Sequence, residues 1–267
     1  MYKIAISDLD GTLLGEHHNI SKKTAASIAN WIDSGREFVI ATGRHYIEAD
    51  YLQKTLEKPS YLITSNGARI HNPQGEVIFE GNLDSDIVAN IAAQEFDSAV
   101  QVSIFTDQHW YVSFDVAELA DLADLDVGVK FFAVVKPLQS IDPTTAIKMV
   151  FYGDRTKIEA IHAQLSKQYP DRLNLTFSLP NCLEVMQKGV HKAAAMKKVL
   201  QACHLTIEES IAFGDGMNDL EMLKAAGKGI LMSNSQADLI AALPNVEQTT
   251  SNVQDGVAIV LDNLLSK

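Results

Sequence analysis

Cysteine is nearly absent from this chain. Its 267 residues hold only Cys182 and Cys203, too few for a disulfide framework and without metal-ligand spacing. Both read as small buried apolar residues in a reducing compartment. Long apolar runs are missing as well: no stretch approaches the ~18 apolar residues of a membrane span. The N-terminus offers only Ile4-Ala5-Ile6 ahead of an acidic turn, not the apolar core of a signal peptide. A cytoplasmic protein without membrane attachment is therefore expected. Positive charge is scarce too, with 22 Lys and Arg against 34 Asp and Glu and a net charge of −12. Such a surface repels nucleic acid and anionic lipid at long range, so neither is expected as a partner. An anionic substrate would need a local positive site.

What is present is an alternation of strand-like runs with helical periodicity, the pattern of a parallel sheet covered on both faces. Tyr2 to Ile6 is apolar and leads into Asp8-Leu9-Asp10-Gly11-Thr12. Ser21 caps an expected helix with an apolar stripe of Ala25, Ile28, Ala29 and Ile32, ending at Gly35. Strands are expected at Phe38 to Ala41, closed by Thr42-Gly43-Arg44, and at Tyr61 to Thr64, followed by Ser65-Asn66-Gly67. Arg69-Ile70-His71, a turn over residues 72–75 and Val77-Ile78-Phe79 read as a hairpin.

From about Leu83 to Glu184 the order changes to an α+β insert with antiparallel strands. A helix is expected near Asp86 to Phe96, strands near Val100 to Phe105 and Trp110 to Phe114, and an irregular stretch around Asp124 to Pro143. A strand at Ile147 to Tyr152, a helix at Ile158 to Gln168 and strands at Leu173 to Phe177 and Cys182 to Val185 follow. The parallel pattern then resumes with a helix from Val190 to Gln201, a strand at Ile211 to Phe213, and the loop Gly214-Asp215-Gly216-Met217-Asn218-Asp219. A strand at Gly229 to Met232 and a helix at Val257 to Leu265 complete it. The expected organisation is an α/β, Rossmann-like core over residues 1–82 and 185–267, interrupted by a cap over residues 83–184. No internal repeat is present.

The polar clusters of the core each follow an expected strand or begin an expected helix, where ligands bind in open α/β sheets. Phosphoryl transfer supplies a role for each. Asp8 would attack phosphorus to form an aspartyl-phosphate, and Asp10 would protonate the leaving alcohol and then deprotonate water. Asp8, the Asp10 backbone carbonyl and Asp215 offer oxygens suited to Mg²⁺. Thr42 and the Gly43 amide suit a phosphate oxygen. Lys192 opens a helix, where a cation opposes the macrodipole, but as a point charge it would neutralise the transferring oxygens. Asn218 would hold the phosphate, and Asp219 would orient Lys192 by ion pairing. Arg44 would reach either a second anionic group of the substrate or a carboxylate of the insert. His17-His18 lies in a polar loop and reads as a solvated turn, and His109-Trp110 reads either as an ordinary hairpin or as a stacking surface.

In these motifs the chain resembles the haloacid dehalogenase-like hydrolases, and among them the Cof-type phosphatases with an α/β cap between the second and third motifs. Asp8-Leu9-Asp10-Gly11-Thr12 is similar to the first motif, Thr42-Gly43-Arg44 to the second, Lys192 to the third and Gly214 to Asp219 to the fourth. Asp255-Gly256-Val257 matches a terminal stretch of the family. The resemblance implies Mg²⁺ as cofactor, with Asp8 as nucleophile, Asp10 as acid and base, and Asp8, Asp10 and Asp215 as metal ligands. It implies phosphate contacts from Leu9, Thr42, Gly43, Lys192 and Asn218, with Asp219, Arg44 and Asn66 in support. His191-Lys192-Ala193 departs from the usual Ser-Lys-Gly, and Met232-Ser233-Asn234-Ser235 from the usual Met-Gly-Asn-Ala. Ser7-Asp8, Ala41 to His45 and Ser65 to Arg69 most resemble members acting on pyridoxal 5′-phosphate.

A small phosphorylated metabolite is the expected partner, in a monomer or weak homodimer, with the insert choosing the leaving group. Two rivals remain. A phosphosugar mutase with a similar cap would return the phosphoryl group to a sugar. A receiver-type signalling domain would form the same phospho-aspartate as a switch, but needs neither the insert nor an acid two positions after the nucleophile.

Overall fold

The computed structural model describes residues 1–113 and 133–266, which divide into two compact units, Met1–Glu80 with His191–Lys267, and Gly81–Val190. In chain order the first unit begins with β1 (Ile4–Ser7), α1 (Lys22–Asp33), β2 (Glu37–Ala41), α2 (Tyr46–Gln53), β3 (Tyr61–Thr64), β4 (Arg69–His71) and β5 (Val77–Glu80). The second contains α3 (Ser85–Ala92), β6 (Val100–Phe105), β7 (Trp110–Val112), β8 (Ala133–Val135), β9 (Lys148–Gly153), α4 (Arg155–Gln168), β10 (Leu173–Leu179) and β11 (Cys182–Gln187). The chain returns to the first unit with α5 (Lys192–Ala202), β12 (Ser210–Gly214), α6 (Leu220–Ala225), β13 (Lys228–Leu231), α7 (Ala237–Ala242), β14 (Glu247–Gln248) and α8 (Gly256–Leu265).

The sheet of the first unit runs β14-β13-β12-β1-β2-β3-β4-β5. Pairing is parallel from β14 through β3, and β4 and β5 add the antiparallel hairpin. Successive residues of a strand point to opposite faces, and both faces here are buried. Ala5, Phe38, Ile40, Ile211 and Phe213 pack with Ile28 and Trp31 of α1 and Val257 and Leu261 of α8. Ile4, Ile6, Val39, Ala41 and Ala212 pack on the other side with Met196 and Val199 of α5 and Met222 of α6. This is why the central strands read as continuous apolar runs rather than alternating ones. The ends of α1 and α8 are joined by Asp255, which accepts hydrogen bonds from Ser21 Oγ at 2.5 Å and Thr24 Oγ1 at 3.1 Å.

The second unit has a six-stranded sheet in the order β10-β11-β9-β6-β7-β8. Val102, Ile104, Met149, Phe151, Leu183 and Val185 form its core with Ile87, Val88 and Ile91 of α3 and Ile158, Ile161 and Leu165 of α4. The pairs are antiparallel except β7 with β8, which runs parallel in the register Trp110↔Ala133.

Several expected elements differ from those observed. The helix expected to reach Phe96 stops at Ala92, its last turn closed by Gln94 N donating to the Ile91 carbonyl at 3.0 Å, and a turn at Asp97 follows, whose side chain accepts from Ala99 N at 2.9 Å and whose carbonyl accepts from Val100 N at 2.8 Å. The expected strand at Trp110 ends at Val112, and Phe114 and residues 124–132 of the expected irregular stretch lie outside the described residues. Strand β11 continues past Glu184 to Gln187, so 184 is inside a strand. Helix α2 was not expected. Its N-cap is His45 rather than Ser, Thr, Asp or Asn: Nδ1 accepts from Ile47 N at 3.3 Å, while Glu48 Oε2 accepts from His45 N at 3.1 Å. Both cysteines are half-buried rather than buried.

Candidate active site

Four neighbouring parallel strands of the first unit, β12-β1-β2-β3, end at polar segments on the same sheet edge. Asp8 follows β1, Thr42 follows β2, Ser65-Asn66 follow β3 and Asp215 follows β12. A parallel sheet places the carboxyl ends of its strands together, so this convergence comes from topology. Asp8 is additionally fixed by its backbone N–H, which donates to the Phe213 carbonyl at 3.0 Å.

Lys192, the first residue of α5, is wholly buried and joins two of these loops. Its Nζ donates to Asp8 Oδ1 at 2.5 Å and to Asp219 Oδ1 at 2.6 Å. The other oxygen of Asp219 accepts the backbone N–H groups of Asp215 and Gly216, each at 3.0 Å. Asp219 is thus committed to holding Lys192 and the Asp215 turn. Thr12 Oγ1 donates to Asp215 Oδ1 at 2.8 Å. Thr12 was not singled out from the sequence beyond its place in the first motif; its part is to orient Asp215 across 203 residues of chain.

Carboxylate oxygens of Asp8, Asp215 and Asp219 lie within 4.8 Å of one another. Three carboxylates crowd around the buried Lys192 ammonium, and the pKa values respond. Burial, reinforced by Asp219 and Asp215, pushes Asp8 well above the ordinary carboxylate range despite Lys192. Burial and the charge of Asp219 push Asp215 up to about 6. Burial alone would lower Lys192, but the charges of Asp219 and Asp8 raise it, so it stays protonated. The three carboxylates crowd anionic oxygens that a cation would relieve, and the donors are all oxygen, as Mg²⁺ requires. Lys192 and Thr12 each take one oxygen of Asp8 and Asp215, which leaves the second oxygen of each without a hydrogen bond among the described residues. The site therefore fits the ion through Asp8 and Asp215.

The Asp10 side chain turns away from this cluster. It is about half exposed, and Arg44 grips both its oxygens, Nε to Oδ2 at 2.9 Å and Nη2 to Oδ1 at 2.6 Å. The partner observed for Arg44 is Asp10, a carboxylate of the core and neither of the two partners expected for it. Thr42 Oγ1 accepts from Arg44 N at 3.1 Å, and Asn66 N donates to the Thr42 carbonyl at 2.9 Å. Asn218 Nδ2 donates to Asn66 Oδ1 at 3.1 Å, and Asn66 lies so close to Gly43 that a Cβ there would sit 3.2 Å from Oδ1. Thr42, Gly43, Asn66 and Asn218 therefore form one polar wall. Leu9 is entirely buried in the core, so only its backbone is available to a ligand.

Gly11 sits where the two acidic turns meet. Its φ is +73°, and a Cβ would lie 2.3 Å from Asp215 Oδ2. Gly11→Ala should lower the unfolding free energy by about 1–3 kcal/mol from backbone strain alone, with the clash adding to it. Urea denaturation reads this directly, and an unchanged midpoint would contradict the tight contact.

Residues 5–261 match the family described as haloacid dehalogenase-like hydrolase. A protein of Buchnera aphidicola subsp. Baizongia pistaciae, named "Putative phosphatase", is 35% identical over 269 residues, covering 100% of both chains. Among solved structures, a Bacteroides thetaiotaomicron protein described among phosphatases of the haloalkanoate enzyme superfamily is 25% identical. It covers 100% of this chain and 96% of its own, with a TM-score of 0.83. A Streptococcus mutans UA159 protein shares the fold at a TM-score of 0.87 and 23% identity, with 100% of both chains covered. Because the family match spans residues 5–261, nearly the whole chain, including the strands that end at Asp8, Thr42, Ser65-Asn66 and Asp215, the chain belongs to the haloacid dehalogenase-like hydrolases.

Proposed function

We propose that this hydrolase is a Mg²⁺-dependent phosphatase that cleaves small phosphomonoesters through a phospho-aspartate on Asp8. The observation that carries the reading is the Asp8 carboxylate: one oxygen is held by the buried Lys192, the other is unclaimed, and Asp215 lies beside it. Asp8 attacks phosphorus, the ester P–O bond breaks, and the leaving alkoxide takes a proton from Asp10. Water then gives a proton to Asp10 and attacks phosphorus, and Asp8 leaves as carboxylate. An ammonium has three donors. Two of those on Lys192 go to Asp8 and Asp219, which leaves the third for a phosphoryl oxygen. The Thr42 hydroxyl, the Gly43 and Leu9 amides and Asn218 supply further donors, and Asp10 acts once its carboxyl leaves the Arg44 grip and turns toward Asp8. Mg²⁺, held by Asp8, Asp215 and the Asp10 carbonyl, would supply the positive charge that lets a carboxylate approach a phosphate dianion.

Pyridoxal 5′-phosphate is the first candidate substrate and sugar phosphates the second. The resemblance of Ser65 to Arg69 and of Ala41 to His45 to members acting on pyridoxal 5′-phosphate supports this order. Phosphate release from a panel of phosphomonoesters tests it. Excess chelator should stop release and Mg²⁺ should restore it, whereas Ca²⁺, with its larger and looser coordination, should support little. Full turnover in chelator would remove the metal from the mechanism, and slow release from pyridoxal 5′-phosphate beside fast release from sugar phosphates would reverse the substrate order.

A further inference from the structure

The loop Met232–Gln236 follows β13, the strand beside β12, and carries none of the chemistry assigned above. Its backbone is tied to the Asp215 turn: Met232 N donates to the Gly214 carbonyl at 3.2 Å and Gln236 N to the Asp215 carbonyl at 2.9 Å. Gln236 Oε1 also accepts from Met217 N at 3.3 Å. On its other side the loop reaches the nucleophile turn through one side chain, Asn234, whose Nδ2 donates to the Gly11 carbonyl at 2.8 Å. Asn252 fixes which way this amide points. Its backbone N–H donates to Asn234 Oδ1 at 3.0 Å, and its own Nδ2 donates to the Leu14 carbonyl at 2.7 Å.

Gly11 is the place where such a restraint matters. Only glycine fits there, because of its positive φ and the Asp215 carboxylate where a Cβ would go. Glycine is also the softest residue in a chain, and here it separates Asp10 from Thr12, which orients Asp215. A hydrogen bond to the Gly11 carbonyl fixes the plane of the Gly11–Thr12 peptide and, with it, the placement of Thr12 on Asp215.

We propose that Asn234 is a positioning residue: acting through Gly11 and Thr12, it holds the nucleophile turn against the Asp215 turn without itself touching the substrate. The inference rests on the phosphatase reading. Residues that orient the ligands of a metal typically affect metal affinity or activity by about 10–100-fold. Asn234 is exposed, so water replaces part of the lost bond and the lower end, about 10-fold, is expected.

Asn234→Ala should lower kcat by that factor while KM for p-nitrophenyl phosphate stays within about 2-fold, since phosphate contacts are untouched. The same factor should appear with an alkyl phosphate as substrate. Asn234→Asp retains the acceptor for Asn252 but turns an oxygen toward the Gly11 carbonyl, so its turnover should be no better than that of the alanine variant. Titration calorimetry should show Mg²⁺ binding weakened about 10-fold in Asn234→Ala. A raised KM, a loss that depends on the leaving group, or wild-type kcat in either variant would overturn the inference. If the wild-type protein hydrolyses no phosphomonoester, the phosphatase reading fails on its own. Calorimetry then decides the positioning role, with unchanged Mg²⁺ affinity refuting it.

Discussion

Asp8→Asn should fold normally and lose turnover by roughly 10³–10⁶-fold, the range for removing a nucleophile. The substitution preserves the shape of the side chain, and Lys192 keeps its second anionic partner, Asp219, at 2.6 Å. Backbone anchoring is also unaffected, since the N–H of residue 8 still donates to Phe213. What disappears is the carboxylate proposed to attack phosphorus, for which a neutral amide is no substitute. Acid-quenched wild-type protein should carry a phosphoryl adduct on the Asp8 peptide by mass spectrometry, and the variant should carry none. Turnover within about 10-fold of wild type would end the covalent mechanism on Asp8, because the amide in that place neither attacks phosphorus nor offers a metal a carboxylate oxygen.

Lys192→Met carries the second large expectation, on stability as well as rate. The ammonium is fully buried between two carboxylates, and removing one partner from a buried ion pair typically costs about 3–5 kcal/mol, because uncompensated charge is left behind. Without metal, the sign of the pH dependence follows from the acids. Asp8 and Asp215 already bind protons more tightly in the folded protein than ordinary carboxylates do, and losing Lys192 drives them further the same way. A group raised in the folded state contributes stability when protonated, and that contribution is lost as pH rises through its folded pKa. The difference between wild type and variant should therefore be small near pH ~4 and widen toward pH ~7. Urea unfolding in chelator across that range measures it. A constant difference would show that Lys192 contributes by packing rather than by charge. Turnover should fall by about 10²–10³, the usual cost of removing a donor to a developing oxyanion.

The alternation of apolar runs and amphipathic segments was legible in the chain because burial on both faces of a parallel sheet leaves a direct trace in composition. Phe38 to Ala41, Tyr61 to Thr64 and Ile211 to Phe213 are examples. The candidate residues were legible for a related reason: Asp8, Thr42 and Asp215 each stand at the end of such a run, and loops at strand ends are free to hold polar groups. The ends of elements were less legible. Helix α2 begins at a histidine cap, and α3 closes at Gln94 with a turn at Asp97 following it; both are local backbone and side-chain arrangements that periodicity does not register.

By itself, then, the sequence determined the α/β class, the presence of an α+β insert and the acidic and polar segments at the strand ends, since local pattern and residue chemistry suffice for these. Tertiary structure alone decided who meets whom. The order β12-β1-β2-β3 brings Lys192 to Asp8 across 184 residues and Asn218 to Asn66 across 152. It also decided that Arg44 holds Asp10, that Thr12 serves Asp215, and that Asn234 reaches Gly11 across 223 residues. Hydropathy records which face of a strand is buried but not which strand lies beside it, and these contacts exist only once the strand order is set.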